Sequence, residues 1–311
     1  MPGLVIVGPT ASGKTALALA LAERLGAAGR AVEIVSADAM ALYAGMDVGT
    51  AKPSAVERAA VRHHLVDVVT PADDYSLSRF KADADEALAG ISERGANPIV
   101  VGGTGLYVQA LVDDLDIPGQ FPDVAAELEA EPDTAVLHAR LAELDPAAAT
   151  KMEPTNRRRI LRALEVTVGS GRPFSSFGPG IDAYPPTAWT VVGLEIDRDT
   201  LDARIDARYD AQLAAGFLDE VVAVEAGPGF GRTAAQALGY RELRAHLAGE
   251  CSLGEAMDEA RRRTRRFARR QQRWFRRDPR ITWLDALAPD LADRAEAAWQ
   301  RAASAVDGPT R

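Results

Sequence analysis

The stretch Gly8-Pro9-Thr10-Ala11-Ser12-Gly13-Lys14-Thr15 fills every fixed position of the pattern G-x-x-x-x-G-K-[ST]. Its flanks suit that pattern: Leu4 to Val7 is an apolar run of strand length, and Ala16 to Leu25 consists of strong helix formers. A strand, a glycine-rich loop and a helix in that order turn successive backbone N–H groups toward one anion at a helix N-terminus. Lys14 adds a point charge, and the Thr15 hydroxyl can ligate Mg²⁺. The loop predicts a polyphosphate site without choosing the polyphosphate.

Working outward, strand-like and helix-like runs alternate through the first hundred residues, with "VEIVSAD" at 32–38 and "PIVVGGTGLY" at 98–107 as the next strands. That order predicts βα units and an α/β fold: a P-loop NTPase-like core with a mostly parallel sheet flanked by helices. Residues 113–190 read differently. They hold mainly helical patterns, such as "AVLHARLAELDPAAATKM" and "RRRILRALEVTV", and close in "GSGRPFSSFGPGIDAYPP". We read 113–190 as a helical insertion and 1–112 with 191–311 as the core.

A chain of 311 residues, 47% hydrophobic, is long enough for one large α/β domain and a smaller one. No apolar stretch has the length of a membrane span and no secretory leader is visible, so a cytoplasmic protein, away from the membrane, is expected. A monomer is expected as well. Cys251 is the only cysteine, which excludes an internal disulfide and argues against a cysteine-based zinc site. The net charge of −9 hides an asymmetry. Residues 261–280, "RRRTRRFARRQQRWFRRDPR", contain eleven arginines and one acid, and Arg157, Arg158, Arg159 and Arg162 form a second cluster. Such clusters on an acidic body are the footprint of a polyanion partner, or else solvated faces paired with nearby carboxylates.

Asp38 follows the second strand, at the sheet edge where open α/β folds bind ligands. A carboxylate there is a candidate base or metal partner, the bland alternative being a helix cap. Asp47, Thr50 and Lys52 continue that loop with polar groups. "HHLVDVVTP" sets Asp67 in an apolar run like a Walker-B strand, while the adjacent His63 and His64 cannot both face one metal from a strand. In Gly102-Gly103-Thr104-Gly105, close backbone approach leaves the Thr104 hydroxyl to point at a ligand.

These motifs together resemble the tRNA dimethylallyltransferase (tRNA isopentenyltransferase) family: "GPTASGKT", "GMDVGTAKP", "HHLVDV", "VVGGTGLY", "RRILRALEV", "LGYRE" and "RRFARRQQRWFRRDPRITWL" occur in order along nearly the whole chain. The resemblance implies that the loop holds dimethylallyl diphosphate, through Gly8, Pro9, Thr10, Ala11, Ser12, Gly13, Lys14 and Thr15, with Arg208 reaching the diphosphate and Arg204 a weaker candidate. It implies transfer of the dimethylallyl group to N6 of adenine 37 beside the tRNA anticodon, with Mg²⁺ on Thr15 as cofactor. Asp38 would be the base, and Lys14, Thr104 and Arg208 would stabilise the leaving group. Contacts to the tRNA anticodon stem-loop would come from Asp38, Ala39, Met40, Ala41, Thr104, Arg158, Arg159, Ile160, Leu161 and Arg162. Ala39 and Ala41 stand where Ser and Gln are frequent in the family, and Ala44 where a basic residue is usual. With Cys251 the only cysteine, a zinc finger like that of eukaryotic relatives is not expected in these residues.

Two other classes compete: an adenylate isopentenyltransferase acting on a free nucleotide, and a P-loop small-molecule kinase. The insertion and basic segment favour a polynucleotide. That segment is expected to be a helix with Arg262, Arg266, Arg269, Arg273 and Arg277 along one face and Phe267 and Trp274 on a packing face.

Overall fold

The computed structural model describes residues 3–306. The chain begins with β1 (Leu4–Val7), α1 (Lys14–Ala27), β2 (Val32–Ser36), α2 (Ala55–Ala60), β3 (His63–His64), α3 (Leu77–Glu93), β4 (Asn97–Gly102) and α4 (Gly105–Val112). Four helices follow: α5 (Pro122–Glu129), α6 (Thr134–Leu144), α7 (Pro146–Thr150) and α8 (Arg157–Ser170). The remainder comprises β5 (Thr190–Glu195), α9 (Arg198–Ala214), α10 (Phe217–Ala226), α11 (Tyr240–Leu247), α12 (Leu253–Phe275), β6 (Thr282–Asp285) and α13 (Leu291–Val306). These elements divide into two compact units, Met1–Val112 with Pro186–Arg311, and Asp113–Pro185. The chain rejoins the first unit a few residues before β5, because Trp189 packs on its apolar core and Thr187 Oγ1 donates to the Val112 carbonyl at 2.8 Å.

The first unit is built on a six-stranded sheet of order β3-β2-β4-β1-β5-β6, with every pairing parallel. β1 is central and wholly buried, as its unbroken apolar run requires of a strand covered on both faces. Its side chains alternate: Val5 and Val7 join the core on one face, and Leu4 and Ile6 join the other, where α1 and the Trp299 side chain of α13 cover the sheet. Register pairs Val7 with both Gly102 and Gly193, and Ser36 with Val101. The C-terminal ends of β1, β2 and β4 therefore finish level, with β5 running two residues further, and the loops after them share one edge.

The second unit packs α5, α6, α7 and α8 around Leu128, Leu137, Leu141, Ile160, Ala163 and Leu164. Asp145 is buried, caps α7 through the Ala148 N–H, and accepts from the Ser175 N–H and hydroxyl.

The third strand is shorter than "HHLVDVVTP" suggests. It ends at His64, and Leu65 and Asp67 both adopt left-handed backbone (φ 58°), so Asp67 stands in a loop and not on a Walker-B strand. Its carboxylate pairs with Lys52 (2.6 Å) and Arg58. His63 Nδ1 lies 2.7 Å from the Val61 carbonyl, while His64 Nε2 lies 2.6 Å from Glu33 Oε2, so the two rings serve separate packing roles.

Glu33 ties that edge of the sheet together. Arg94 Nε and Nη2 each donate to it at 2.8 Å, and these bonds, aided by His64, hold its carboxyl down to about 2 against an ordinary 4.5. A carboxyl depressed in the folded state stabilises above its unfolded pKa, and that contribution is lost as pH falls from about 4.5 toward 2. Glu33→Gln is expected to lower stability at pH 7 by on the order of 1 kcal/mol, since solvent screens the exposed Arg94, and to make the decline of Tm with acid shallower, measured by calorimetry between pH 2 and 7.

Candidate active site

The loop after β1 is held open by its own backbone. Ala11 is left-handed (φ 63°), and Gly13 caps α1 at φ 96° with no side chain satisfying the first-turn amides and no acid in that turn. An uncapped helix N-terminus keeps its partial positive charge and its orphan N–H groups for an anion. Lys14 Nζ folds back to donate to the Pro9 carbonyl at 2.7 Å. Burial pulls its pKa from 10.5 to about 8, with Asp38 opposing and Arg208 adding to the fall.

Arg208, on α9, donates from Nη1 to Thr10 Oγ1 at 2.8 Å. Burial lowers its pKa as well, while Tyr209 and Asp38 act to raise it. Neither Lys14 nor Arg208 reaches a carboxylate within salt-bridge distance among the described residues. The Arg208 Nε and Ser12 Oγ atoms are buried without a hydrogen-bond partner. Arg204, one turn earlier, is exposed, and its Nη1 would lie 4.0 Å from a Cβ at Gly13. Two cations from one face of α9 thus flank the loop.

The strand ends supply the remaining groups. Asp38 Oδ1 accepts from the Met40 N–H at 2.9 Å, capping a turn; no helix begins there, so helix capping does not explain the residue. Thr104 Oγ1 accepts from the Ala39 N–H at 3.1 Å, which leaves its proton for a further acceptor. At Gly102 an added Cβ would meet the Ala37 carbonyl oxygen at 2.1 Å, so only glycine lets the loops after β2 and β4 come together. Ala39 and Met40 are half-buried and Ala41 is buried, its carbonyl accepting from the Asp67 N–H.

The polar residues of "GMDVGTAKP" turn out to be internal ties. Lys52, with its side chain 1% exposed, bridges Asp47 (2.8 Å), Asp67 and the Tyr43 carbonyl. Thr50 Oγ1 donates to the Met46 carbonyl. Glu220 accepts from the Asp47, Val48 and Gly49 N–H groups at 2.7, 2.7 and 3.0 Å, and Gln212 Nε2 donates to the Val48 carbonyl. The loop is fixed from α9 and α10 by two residues the sequence reading did not single out.

The IPP transferase family profile matches residues 41–278. A tRNA dimethylallyltransferase of Kineococcus radiotolerans is 51% identical over 300 residues, covering 94% of this chain and 93% of the relative. One from Bifidobacterium animalis subsp. lactis is 48% identical over 295 residues, covering 94% and 85%. The chain belongs to the tRNA dimethylallyltransferase family. Among solved structures, the tRNA isopentenylpyrophosphate transferase of Bacillus halodurans is similar at a TM-score of 0.71 and 34% identity, covering 99% of this chain and all of that one. A eukaryotic dimethylallyltransferase acting on tRNA gives 0.79 at 25% identity, covering 99% and 80%.

For a tRNA dimethylallyltransferase, where the arginines go matters next. The basic segment is helical through Phe275, so Arg277 lies past the end of α12. Its buried face carries Ala260, Thr264, Ala268, Gln271 and Phe275; Phe267 and Trp274 are only half-buried at its margin. The arginines separate into two sets. Arg261 pairs with Asp210 (2.5 Å), Arg262 with Glu259, Arg263 with Glu242 and Arg265 with Asp206 (2.5 Å), so Arg262 leaves the expected stripe. Arg266, Arg269, Arg270 and Arg273 make no salt bridge among the described residues and line an open groove of about 510 Å³ with Gln272 and Arg276.

In the second unit, α8 sorts its residues by helical period. Arg158 and Arg159 are exposed, but Ile160 is fully buried and Leu161 packs partly against the same core. Arg162 is engaged by Glu165 (2.7 Å) and the Pro118 and Gly119 carbonyls. Within 158–162, Arg158 and Arg159 are therefore the exposed cations, while Ile160 is core and Arg162 is tied to its own unit.

Lys14 sets a pH dependence whose sign follows from its depressed pKa. Below about 8 the ammonium is present; above it the empty site loses that charge, while a bound anion would restore it. Pyrophosphate affinity measured by calorimetry, after correction for the ligand's own ionisation, is expected to weaken by nearly tenfold per pH unit above about 8. Lys14→Ala should bind weakly at every pH, without that inflection.

Proposed function

We propose that this protein transfers the dimethylallyl group of dimethylallyl diphosphate to N6 of adenine 37 next to the tRNA anticodon, releasing pyrophosphate. The observation that carries the donor side is the pair of half-buried, acid-free cations, Lys14 and Arg208, set at the uncapped N-terminus of α1, with Arg208 Nε itself out of reach of water. Buried charge without a counter-ion is costly, and a diphosphate would supply the missing partner for both cations and for the orphaned Arg208 Nε and Ser12 Oγ.

The chemistry follows from the level strand ends. The N6 lone pair forms the C–N bond to C1 as the C1–O bond breaks, and the electron pair leaves on the bridging oxygen of pyrophosphate. Asp38 accepts the proton from N6, which matters because that amino group is a poor nucleophile while its lone pair is delocalised into the ring. Thr104, whose oxygen already accepts from Ala39, has its proton directed to a second acceptor, and we assign that acceptor as the leaving oxygen. Lys14, Arg208 and the loop amides stabilise the charge that develops on the diphosphate.

No cluster of three or more His, Cys, Asp or Glu suited to a metal exists among the described residues. Mg²⁺ needs only one or two protein oxygens when a substrate's phosphate oxygens complete its shell. Thr15, in the first turn of α1, would hold it, and the ion would add Lewis-acid neutralisation of the leaving diphosphate.

No helix among the described residues is long and apolar enough to cross a membrane. We place the tRNA backbone against the arginine groove of α12, with Arg158 and Arg159 presented to the anticodon arm. Labelled dimethylallyl diphosphate offered with tRNA or AMP tests the acceptor. Label must enter tRNA at adenine 37; label in AMP would indicate an adenylate transferase, and rapid ATP hydrolysis a kinase.

Asp38→Asn is expected to keep the fold and tRNA affinity but to lose single-turnover rate by roughly 10²–10⁴-fold, with Thr104→Ala slowing it less. A joint Arg269→Gln, Arg273→Gln change should weaken all tRNAs alike and flatten the salt dependence of binding. Arg265→Gln, which breaks an internal ion pair with Asp206, should lower Tm and leave the salt slope intact.

A further inference from the structure

Gln271 projects from the buried face of α12 and is 5% exposed. Its amide is used at both ends. The Thr10 N–H of the phosphate loop donates to Gln271 Oε1 at 2.8 Å, and Gln271 Nε2 donates to the Gly103 carbonyl at 2.9 Å. A backbone donor on one side and a backbone acceptor on the other fix the amide's orientation without ambiguity. A Cβ at Gly103 would fall 2.2 Å from Gln271 Nε2, so the loop after β4 presses its backbone directly on this side chain. The next links lead to the reacting groups: Thr10 Oγ1 holds Arg208, and Thr104 follows Gly103.

We propose that Gln271 is a positioning residue for the prenyl diphosphate: one buried amide locks the Thr10 peptide and the Gly103 carbonyl to α12, and through them sets Arg208 and Thr104 at the leaving group. This rests on the diphosphate reading of the loop given above. Both ends of the Gln271 amide are engaged by the loops, so it acts through them. It fixes where the Thr10 hydroxyl, and hence the Arg208 guanidinium, stands before the anion arrives, so that binding does not have to order the loop.

The role separates from simple packing by which kinetic constant moves. In Gln271→Leu, which keeps similar bulk but leaves the Thr10 N–H and the Gly103 carbonyl unpaired, the KM for dimethylallyl diphosphate and the Kd for pyrophosphate should rise roughly tenfold, the scale of an abandoned buried hydrogen bond. The KM for tRNA should not move. Gln271→Glu gives a second readout. Its ionised carboxylate can still accept from Thr10 but opposes the Gly103 carbonyl, whereas the protonated acid can donate to it; relative to the parent protein, pyrophosphate affinity should recover as pH is lowered from about 8 to 5.5.

Lys14→Ala is measured alongside. If Gln271→Leu binds pyrophosphate as the parent does while Lys14→Ala does not, Gln271 only fills space and the proposal is overturned. A rise confined to the tRNA KM overturns it too. If neither substitution changes pyrophosphate affinity, the diphosphate reading itself falls, and the proposal with it. Should Gln271→Leu fail to fold, the acid-dependent recovery of Gln271→Glu decides, and its absence counts against the role.

Discussion

Two desolvated cations without a matching carboxylate, Lys14 and Arg208, are the constraint around which the first unit is arranged. Both are half-buried, and partial loss of water lowers the pKa of each. A protein can hold such groups only if the surrounding structure is rigid enough to prevent their escape or collapse onto an acid. Lys14 rests on the Pro9 carbonyl and Arg208 on the Thr10 hydroxyl, both neutral acceptors within the same loop. Neutral acceptors take one donor from each without cancelling the charge, so the site remains attractive to an anion.

That rigidity comes from parallel registration. Because β1 pairs in step with β4, and β4 with β2, three loops leave the sheet at one level and brace one another. Ala39 is tied to Thr104, Thr104 N–H to the Ala37 carbonyl, and Gly103 and Thr10 to Gln271. The loop after β2 has a second anchorage in Glu220, whose carboxylate takes three consecutive backbone N–H groups. Asp38 is thereby carried on backbone fixed from both sides, as a base that must meet a nitrogen within hydrogen-bond reach requires.

Helix α12 joins the two halves of the chemistry. Around Gln271 its inward face carries the small residues Ala260, Thr264 and Ala268, and its outward face carries the arginines. Nearly all of the first half of that arginine run is consumed by acids on α9, α11 and α12 itself, which fastens the helix. The later positions Arg266, Arg269, Arg270 and Arg273 keep their charge for a partner. An acidic body with one such groove repels a polyanion everywhere else and so restricts where it docks.

The local rules of the chain were enough to determine the strand, loop and helix at residues 4–25, the parallel α/β class, the helical character of 113–190 and the chemical candidates at Lys14, Asp38 and Thr104, while Arg208 came only with the family resemblance. Each depends on short-range grammar: a glycine pattern, an apolar run, a charged residue just past a strand. Tertiary structure alone decided which polar residues face the site. Asp47, Lys52 and Asp67 look as functional in sequence as Asp38, yet they neutralise one another, because ion pairing depends on where loops meet in space. Eleven arginines in a row of twenty are equivalent on paper; acids on α9 and α11, distant in the chain, divide them. Gln271 had a faint signal, a lone amide at the helical spacing of Ala260, Thr264, Ala268 and Phe275. Its two hydrogen bonds span 261 and 168 residues, a separation at which sequence periodicity carries no information about the partner.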